Sequence, residues 1–358
     1  MKVLLDTSYA LRGATGTGVY LERLAAALRD EGVDVRTVAD VTRGAPGGGR
    51  VRSARNLVHD LRWLHEELPR HARRQGVDVL HHPLPAHARR LGDVAQVLTV
   101  HDLAFEVLPE CFDPRFARWA SRTHRTAALR TGAVVAVSRT TARDVRERWG
   151  VPADRIVVAP HGPGQWRARD VRAGRTVRDA PAPGRPYLLY VGDAEPRKDL
   201  PTLRAGYALL RDALGDGTPD LVLAGRLDLP PAPGERLVQE PDAEALLTLM
   251  DGALALVHPA LHEGVGLTPL EAMARGVPVV AARAPGVTET VEDAAALFPP
   301  RDADALAGVL ARVATEPRMR ERLVQAGRRV AGARSWTQAA QAHVAAYELA
   351  LRRTRDGD

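Results

Sequence analysis

Glu263 and Glu271 bracket the most chemically loaded stretch of the chain, His262-Glu263-Gly264-Val265-Gly266-Leu267-Thr268-Pro269-Leu270-Glu271-Ala272-Met273-Ala274. Gly264 and Gly266 leave room for a ligand to approach the backbone. Thr268, Pro269 and Glu271 read as a helix start, with a cap, a first-turn proline and a capping-box glutamate. The N-terminus of a helix presents unbonded N–H groups and the positive end of its dipole to an anion. The run Gly264, Val265, Gly266, Leu267, Thr268 is therefore a candidate cradle for a diphosphate. Glu271 has two readings, a capping residue or a ligand contact. Glu263 precedes the turn and has no capping task. A carboxylate there can accept hydrogen bonds from sugar hydroxyls.

A second segment, Gly192-Asp193-Ala194-Glu195-Pro196-Arg197-Lys198-Asp199, also follows an apolar run and opens a helix. Arg197 can grip a phosphate as a fork and Lys198 as a point charge, though such a pair is also common at a solvated helix start. A third, Gly13-Ala14-Thr15-Gly16-Thr17-Gly18-Val19-Tyr20, is a glycine-rich strand-to-helix loop in which Gly16 and Gly18 allow close approach of phosphate or sugar. Its spacing is neither a dinucleotide fingerprint nor a P-loop. His101-Asp102 ends an apolar run, where His101 can hydrogen-bond a reacting hydroxyl or phosphate oxygen, or simply close a turn with Asp102. His161-Gly162 is a weaker pair of the same kind. His81, His82 and His87 fit no standard ligand spacing, so no metal site is expected.

These segments need elements to hold them. Short apolar runs (Val3–Leu5, Val77–Leu80, Val94–Val100, Ala133–Val137, Ile156–Val158) alternate with amphipathic stretches at Gly18–Arg29, Leu57–Arg74, Pro114–Arg130 and Thr140–Trp149. The pattern breaks from Gly162 to Pro186 and then resumes. Strands are expected at Tyr187–Val191, Leu221–Leu223, Leu254–Val257 and Val277–Ala281, and helices at Leu200–Leu214, Asp242–Met250, Thr268–Arg275, Asp304–Ala314 and Thr337–Arg353. Such alternation predicts parallel βα units. The expected division is a first domain at 1–165, a linker at 166–186, a second domain at 187–335, and a closing helix at 336–358 that can pack back on the first. Two doubly wound halves would face a central cleft, with ligands beyond the carboxyl ends of strands.

The chain of 358 residues is long enough for two cores, and its 45% hydrophobic content is ordinary. No run of 18 apolar residues appears, and the start lacks the features of a signal peptide. A cytoplasmic location is expected, with peripheral contact at the inner face of a membrane as its extension. Cys111 is the sole cysteine, which excludes an intrachain disulfide and a cysteine-based zinc site. The net charge of +6 is an excess of scattered arginine, and aromatics are 4%, so nucleic acid is not an expected partner. Leu57, Leu61, Leu64 and Leu68 form a helical stripe ringed by arginines. The favoured reading packs all four on the first sheet, and the other lays this helix on an anionic membrane.

Together the segments resemble the family-four glycosyltransferases of the GT-B fold, particularly bacterial mannosyltransferase-like members. Glu263 to Ala274 is similar to the family's Glu-x7-Glu signature, with Val265 and Thr268 where Phe and Pro are usual. Gly192 with Glu195-Pro196-Arg197-Lys198 resembles its Gly-x-x-Glu-Pro-Arg-Lys-Asn motif, with Asp199 in place of Asn. Val137-Ser138 and Gly150 to Gly162 resemble its N-terminal domain. The resemblance implies an α/β architecture of two Rossmann-like, doubly wound domains and a retaining, metal-independent hexosyl transfer. The donor would be a GDP- or UDP-sugar acting as co-substrate, the acceptor a hydroxyl, and no further cofactor is implied. It implies that Glu263 contacts the donor sugar, Glu271 the ribose, Arg197 and Lys198 the leaving diphosphate, and His101 the reacting centre. A nucleotide-sugar epimerase of the same fold and a catalytically silent sugar-nucleotide-binding partner are the alternatives.

Overall fold

The computed structural model describes residues 1–12, 16–42, 49–164 and 185–357, with the backbone alone for residue 12 and residues 49–54. The expected linker falls almost wholly outside the described residues, as do Gly13, Ala14 and Thr15 of the glycine-rich loop. The chain forms two compact units. The N-terminal unit comprises Met1–Glu106, Phe112–Gly162 and Ser335–Asp358, and the C-terminal unit Val107–Cys111 and Pro163–Arg334.

The N-terminal unit is built on six parallel strands, β1 (Lys2–Asp6), β2 (Asp34–Val38), β3 (Val79–His82), β4 (Ala95–Val100), β5 (Ala133–Ala136) and β6 (Ile156–Val158). Their spatial order is β2-β1-β3-β4-β5-β6. The helices of this half of the chain are α1 (Gly16–Asp30), α2 (Gly49–Arg62), α3 (Leu68–Gln75), α4 (Ala104–Val107), α5 (Pro114–Arg130) and α6 (Arg139–Trp149). Successive strand residues point to opposite faces, and both faces are covered. Val3, Leu5 and Val79 join one core cluster with Tyr20 and Leu24 of α1, whereas Leu4 and Leu80 join another with Leu68 and Ala72 of α3. Each fully buried Leu or Val contributes about 1.5–3 kcal/mol of transfer free energy.

The leucine stripe divides rather than packing as one. Leu57 and Leu61 are exposed (48% and 47%), Leu64 is half-buried, and only Leu68 is fully buried. A five-residue π turn, Trp63–Glu67, separates α2 from α3. Its wider winding changes the phase of the helix, so residues before it face differently from Leu68 after it.

The C-terminal unit repeats the plan with β7 (Tyr187–Val191), β8 (Asp220–Gly225), β9 (Glu235–Gln239), β10 (Ala255–His258), β11 (Val279–Ala282) and β12 (Ala295–Phe298), all parallel. The order is β9-β8-β7-β10-β11-β12. Its helices are α7 (Leu200–Leu214), α8 (Ala243–Gly252), α9 (Leu267–Ala274), α10 (Val287–Val291), α11 (Ala303–Thr315) and α12 (Pro317–Gly332). The last helix, α13 (Trp336–Asp356), is capped by Ser335 in a capping box with Gln338 and belongs to the N-terminal unit. There it adds Ala340, Ala346, Tyr347 and Ala350 to the core beneath β1, β3 and β4. Gly132 permits this approach, because a Cβ there would lie 3.0 Å from the Cα of Ala350.

Candidate active site

The candidate residues Arg197, Lys198, Glu263 and Glu271 all lie in the C-terminal unit, at a reversal of its strand order. The chain begins this sheet at β7, runs outward to β9, and returns on the other side of β7 as β10. The connections leaving β7 and β10 therefore diverge, and a crevice opens outside their carboxyl ends. The segment after β7 carries Arg197 and Lys198, and the segment after β10 carries Glu263. The two are laced by a backbone hydrogen bond from Leu261 N–H to the Arg197 carbonyl at 2.9 Å.

Their side chains converge. Lys198 Nζ donates to Glu263 Oε1, and Arg197 Nη1 reaches the same oxygen at 3.3 Å while its Nε donates to Glu195 at 2.8 Å. All three residues are largely enclosed, with Glu263 14% exposed at the side chain. Burial alone would push the Glu263 carboxyl up, but Lys198 and then Arg197 outweigh it and hold it down to about 2. Asp199 follows at φ +51°, a left-handed conformation that Asp and Asn tolerate better than most residues. It is buried, and starts α7 without a side-chain capping bond.

The loop from Pro259 to Gly266 is clamped from behind. Gly286, at φ +76°, sits so close that a Cβ there would meet the Glu263 carbonyl oxygen at 1.7 Å, and Thr290 donates to the Val265 carbonyl. Helix α9 then begins earlier than its sequence signals indicate. Gly266 takes the cap position at φ +69°, ψ +59°, and no side chain caps the helix. Thr268 is thus inside α9 and Glu271 is not a capping residue, because a left-handed glycine can start the helix at Leu267. The buried Glu271 carboxylate instead accepts from the Gly164 N–H at 2.7 Å. Gly264, Val265, Gly266 and Leu267 lead into a helix N-terminus as expected.

His258, the last residue of β10, was not singled out by sequence. It is 2% exposed, and its Nε2 lies 3.7 Å from Glu263 Oε1 without a hydrogen-bond partner among the described residues. Burial pushes the imidazole down to about 4, with Glu263 opposing and Lys198 and Arg197 reinforcing the shift. His262, 1% exposed, has an Nδ1 without a partner among the described residues. An apolar strand ending in His is no signal by itself, so the sequence offered little to find His258. Asp302-Ala303-Asp304 has the spacing of a metal-binding Asp-x-Asp, but Asp302 caps α11 by accepting from Ala305 N–H at 2.8 Å.

The remaining candidates stand in the N-terminal unit. His101 follows β4, its Nε2 3.1 Å from the Pro83 carbonyl and its ring edge-on to Tyr20 at 5.0 Å. Burial lowers its pKa against the pull of Asp102. Asp102 closes a turn by accepting from Ala104 N–H. Gly16 and Gly18 lie in the first turn of α1, not in a loop. His161 is sandwiched between Tyr20 and Trp336, with centroids at 4.9 and 5.2 Å. His81 bonds Tyr347 and Thr99, while His82 and His87 both bond Gln96, so each of the three serves internal packing rather than a shared ligand set.

Residues 14–163 match the family model for Glycosyltransferase Family 4, and residues 177–330 match that for Glycosyl transferases group 1. The chain belongs to these glycosyltransferases. Among the relatives of this glycosyltransferase, the O-antigen chain mannosyltransferase B of Escherichia coli is 26% identical, over 71% of this chain and 70% of that protein. The MMP alpha-(1->4)-mannosyltransferase of Mycolicibacterium hassiacum is 30% identical over 67% and 60%, and a D-inositol 3-phosphate glycosyltransferase of Nocardia farcinica 32% over 59% and 51%. The match thus spans between half and 70% of these relatives' lengths. In solved structures the fold is that of a sucrose-phosphate synthase from Thermosynechococcus elongatus (TM-score 0.72, 20% identity, 100% of both chains). It is also that of WaaG, a glycosyltransferase involved in lipopolysaccharide biosynthesis (TM-score 0.67, 16% identity, 98% and 99%). The α/β, GT-B architecture expected from the motifs is therefore the one observed.

Proposed function

We propose that this glycosyltransferase moves a hexosyl group from a GDP- or UDP-sugar to a hydroxyl acceptor, with retention at the anomeric carbon. The convergence of Arg197 and Lys198 on one carboxylate at the switch point of the sheet carries the reading. Two cations held in that crevice can follow the negative charge that grows on a departing diphosphate, while Glu263 faces the sugar and Glu271 the ribose, as the family resemblance implies. A charge-assisted hydrogen bond gained only in the transition state contributes roughly 1.5–3 kcal/mol, or on the order of 10 to 100-fold in rate. The acceptor hydroxyl attacks from the face the diphosphate leaves and passes its proton to a donor phosphate oxygen. Because the cations neutralise the leaving group, transfer proceeds without a divalent ion. The mannosyltransferases among the relatives make a mannosyl donor the first to try.

A binding panel of GDP-mannose, UDP-glucose and UDP-N-acetylglucosamine, with mass spectrometry and proton NMR of products and a chelator arm, tests this. Transfer with a retained anomeric configuration supports it. Release of a free epimerised sugar nucleotide would indicate an epimerase, and donor binding without any turnover a silent binding partner. Complete, reversible loss of activity on chelation would overturn metal independence.

A further inference from the structure

Glu263 and the diphosphate proposed above compete for the same cations. In this structure one carboxylate oxygen of Glu263 accepts from both Lys198 and Arg197. When those side chains turn to a diphosphate, Glu263 loses the partners that keep it charged in an enclosed site. An enclosed carboxylate without a donor is costly and reverts to its protonated form. The group placed to prevent this is His258, whose Nε2 stands 3.7 Å from the same oxygen, buried and with no hydrogen-bond partner among the described residues. A shift of less than 1 Å closes the gap to hydrogen-bond length.

We infer that His258 is a positioning residue for Glu263, whose Nε2–H takes over the carboxylate when the diphosphate draws Arg197 and Lys198 away. The hand-over keeps Glu263 ionised and aimed at the sugar through the step in which the cations serve the leaving group. The inference rests on the proposed function for the identity of the diphosphate. The charged groups around His258 are Glu263 on its own loop and Lys198 and Arg197 from the segment after β7. At neutral pH the imidazole is uncharged and donates one hydrogen.

Two variants of the full chain test it, H258L, which removes the donor, and H258Q, whose amide nitrogen replaces Nε2. In H258L, affinity for UDP, GDP and the matching nucleotide sugar falls by about tenfold or more, and so does turnover, because each diphosphate now leaves Glu263 without a donor, the loss of one hydrogen bond to a charged group. H258Q recovers both to within about threefold. Wild-type behaviour in H258L, or an H258Q as impaired as H258L at an unchanged melting temperature, overturns the inference. A measurement on the unaltered chain guards against misfolding. The NMR pH titration of His258 moves upward on saturation with inorganic pyrophosphate, as the cations leave and the carboxylate takes their place against the ring, and the rise is clearly smaller in E263Q, where only the departure of the cations remains. A rise as large in E263Q as in the wild type, or none in the wild type, overturns it too. Pyrophosphate also separates the two failures, since a chain that binds it with this response yet binds no nucleotide sugar refutes the proposed function and spares the hand-over.

Discussion

The backbone N–H of Gly164 donates to Glu271 Oε2 at 2.7 Å, so the second glutamate of the signature anchors a neighbouring stretch of its own unit as well as facing the proposed ribose. The two roles are separable. Glu271→Ala loses a buried hydrogen bond to a charged group and about 1.5–3 kcal/mol of stability. Glu271→Gln keeps an acceptor for Gly164 and stays near wild type in melting temperature. Both variants bind UDP and GDP more weakly while their affinity for pyrophosphate holds. Undiminished nucleotide affinity in the glutamine variant would remove Glu271 from the ribose.

Replacing both Arg197 and Lys198 by Ala reduces UDP and GDP affinity by roughly two orders of magnitude, the loss of two charge-assisted contacts. It also strands Glu263, so the melting temperature falls. Adding Glu263→Gln to the pair restores stability but not affinity, because it removes the uncompensated charge and returns no cation. Calorimetry and thermal melts of the double and the triple variant read these outcomes, and equal affinity in the double variant refutes the diphosphate site.

Glu263→Gln abolishes most turnover. Lacking a capping task in the sequence, Glu263 would be expected to matter little to stability, and the structure revises that. A carboxyl held down to about 2 against an ordinary value near 4.5 stabilises the fold above that ordinary value, and the contribution is lost as pH falls toward 2. At pH 7 the variant is therefore less stable, by roughly 3 kcal/mol at most. Urea unfolding at pH 7 and pH 4 should show the gap to wild type narrowing at the lower pH. A constant gap would detach Glu263 from its cations.

The N-terminal unit is acid-labile. His87, His124 and His343 are each pushed down to about 4 by burial, and His81 and His161 well below the usual imidazole range. With folded values depressed, these groups are neutral in the fold and protonate first in the unfolded chain. Stability is full above about 6.5 and declines as pH falls toward 4. His124 sits among Phe105, Trp119 and Trp149, which a phenyl ring can also fill. His124→Phe should flatten the decline by up to about 1.4 kcal/mol per pH unit, one proton's worth. An unchanged slope in tryptophan-monitored unfolding would contradict this.

Leu57, Val58 and Leu61 leave an apolar strip of α2 exposed, and no helix among the described residues is long and apolar enough to cross a membrane. Arg70 pairs with Glu66 and Glu67 and Arg73 with the Arg90 carbonyl, so much of the nearby positive charge is engaged. If a lipid-borne acceptor is served, flotation with anionic vesicles is salt-sensitive and weakens more on replacing Leu57 and Leu61 with Ser than on replacing Arg70, Arg73 and Arg74 with Glu. No flotation at low salt leaves a soluble acceptor.

The central strands were legible because both their faces are buried. Val3–Leu5, Val134–Val135 and Leu188–Tyr190 are continuous apolar runs bounded by breakers. The three strands missed, β2, β9 and β12, are all sheet edges, and Asp34–Val38 and Glu235–Gln239 carry charged residues through their length. An edge strand need not carry an apolar run, so β2 and β9 leave no periodic signal, whereas β6, also an edge, is apolar and was legible; β12 is apolar but only four residues long. The site was legible where local chemistry marks it: Arg197, Lys198 and Glu263 each follow a strand. His258, Gly286 and Thr290 were not, since their part depends on which residue of a distant turn lies against them. The π turn between α2 and α3 likewise leaves no mark in a pattern of leucines.

The placement of α13 sets an order of assembly. His81 bonds Tyr347 across 266 residues of chain, and Tyr20 bonds His343 across 323. On the ribosome the first sheet is synthesised early, yet the helix that covers it follows the whole of Pro163–Arg334. The later-made sheet carries almost all its own helices and can close as soon as it emerges. The first must wait with Val3, Leu5, Val79 and Val97 incompletely covered, so it is the half expected to lose its packing when the chain is cut before α13.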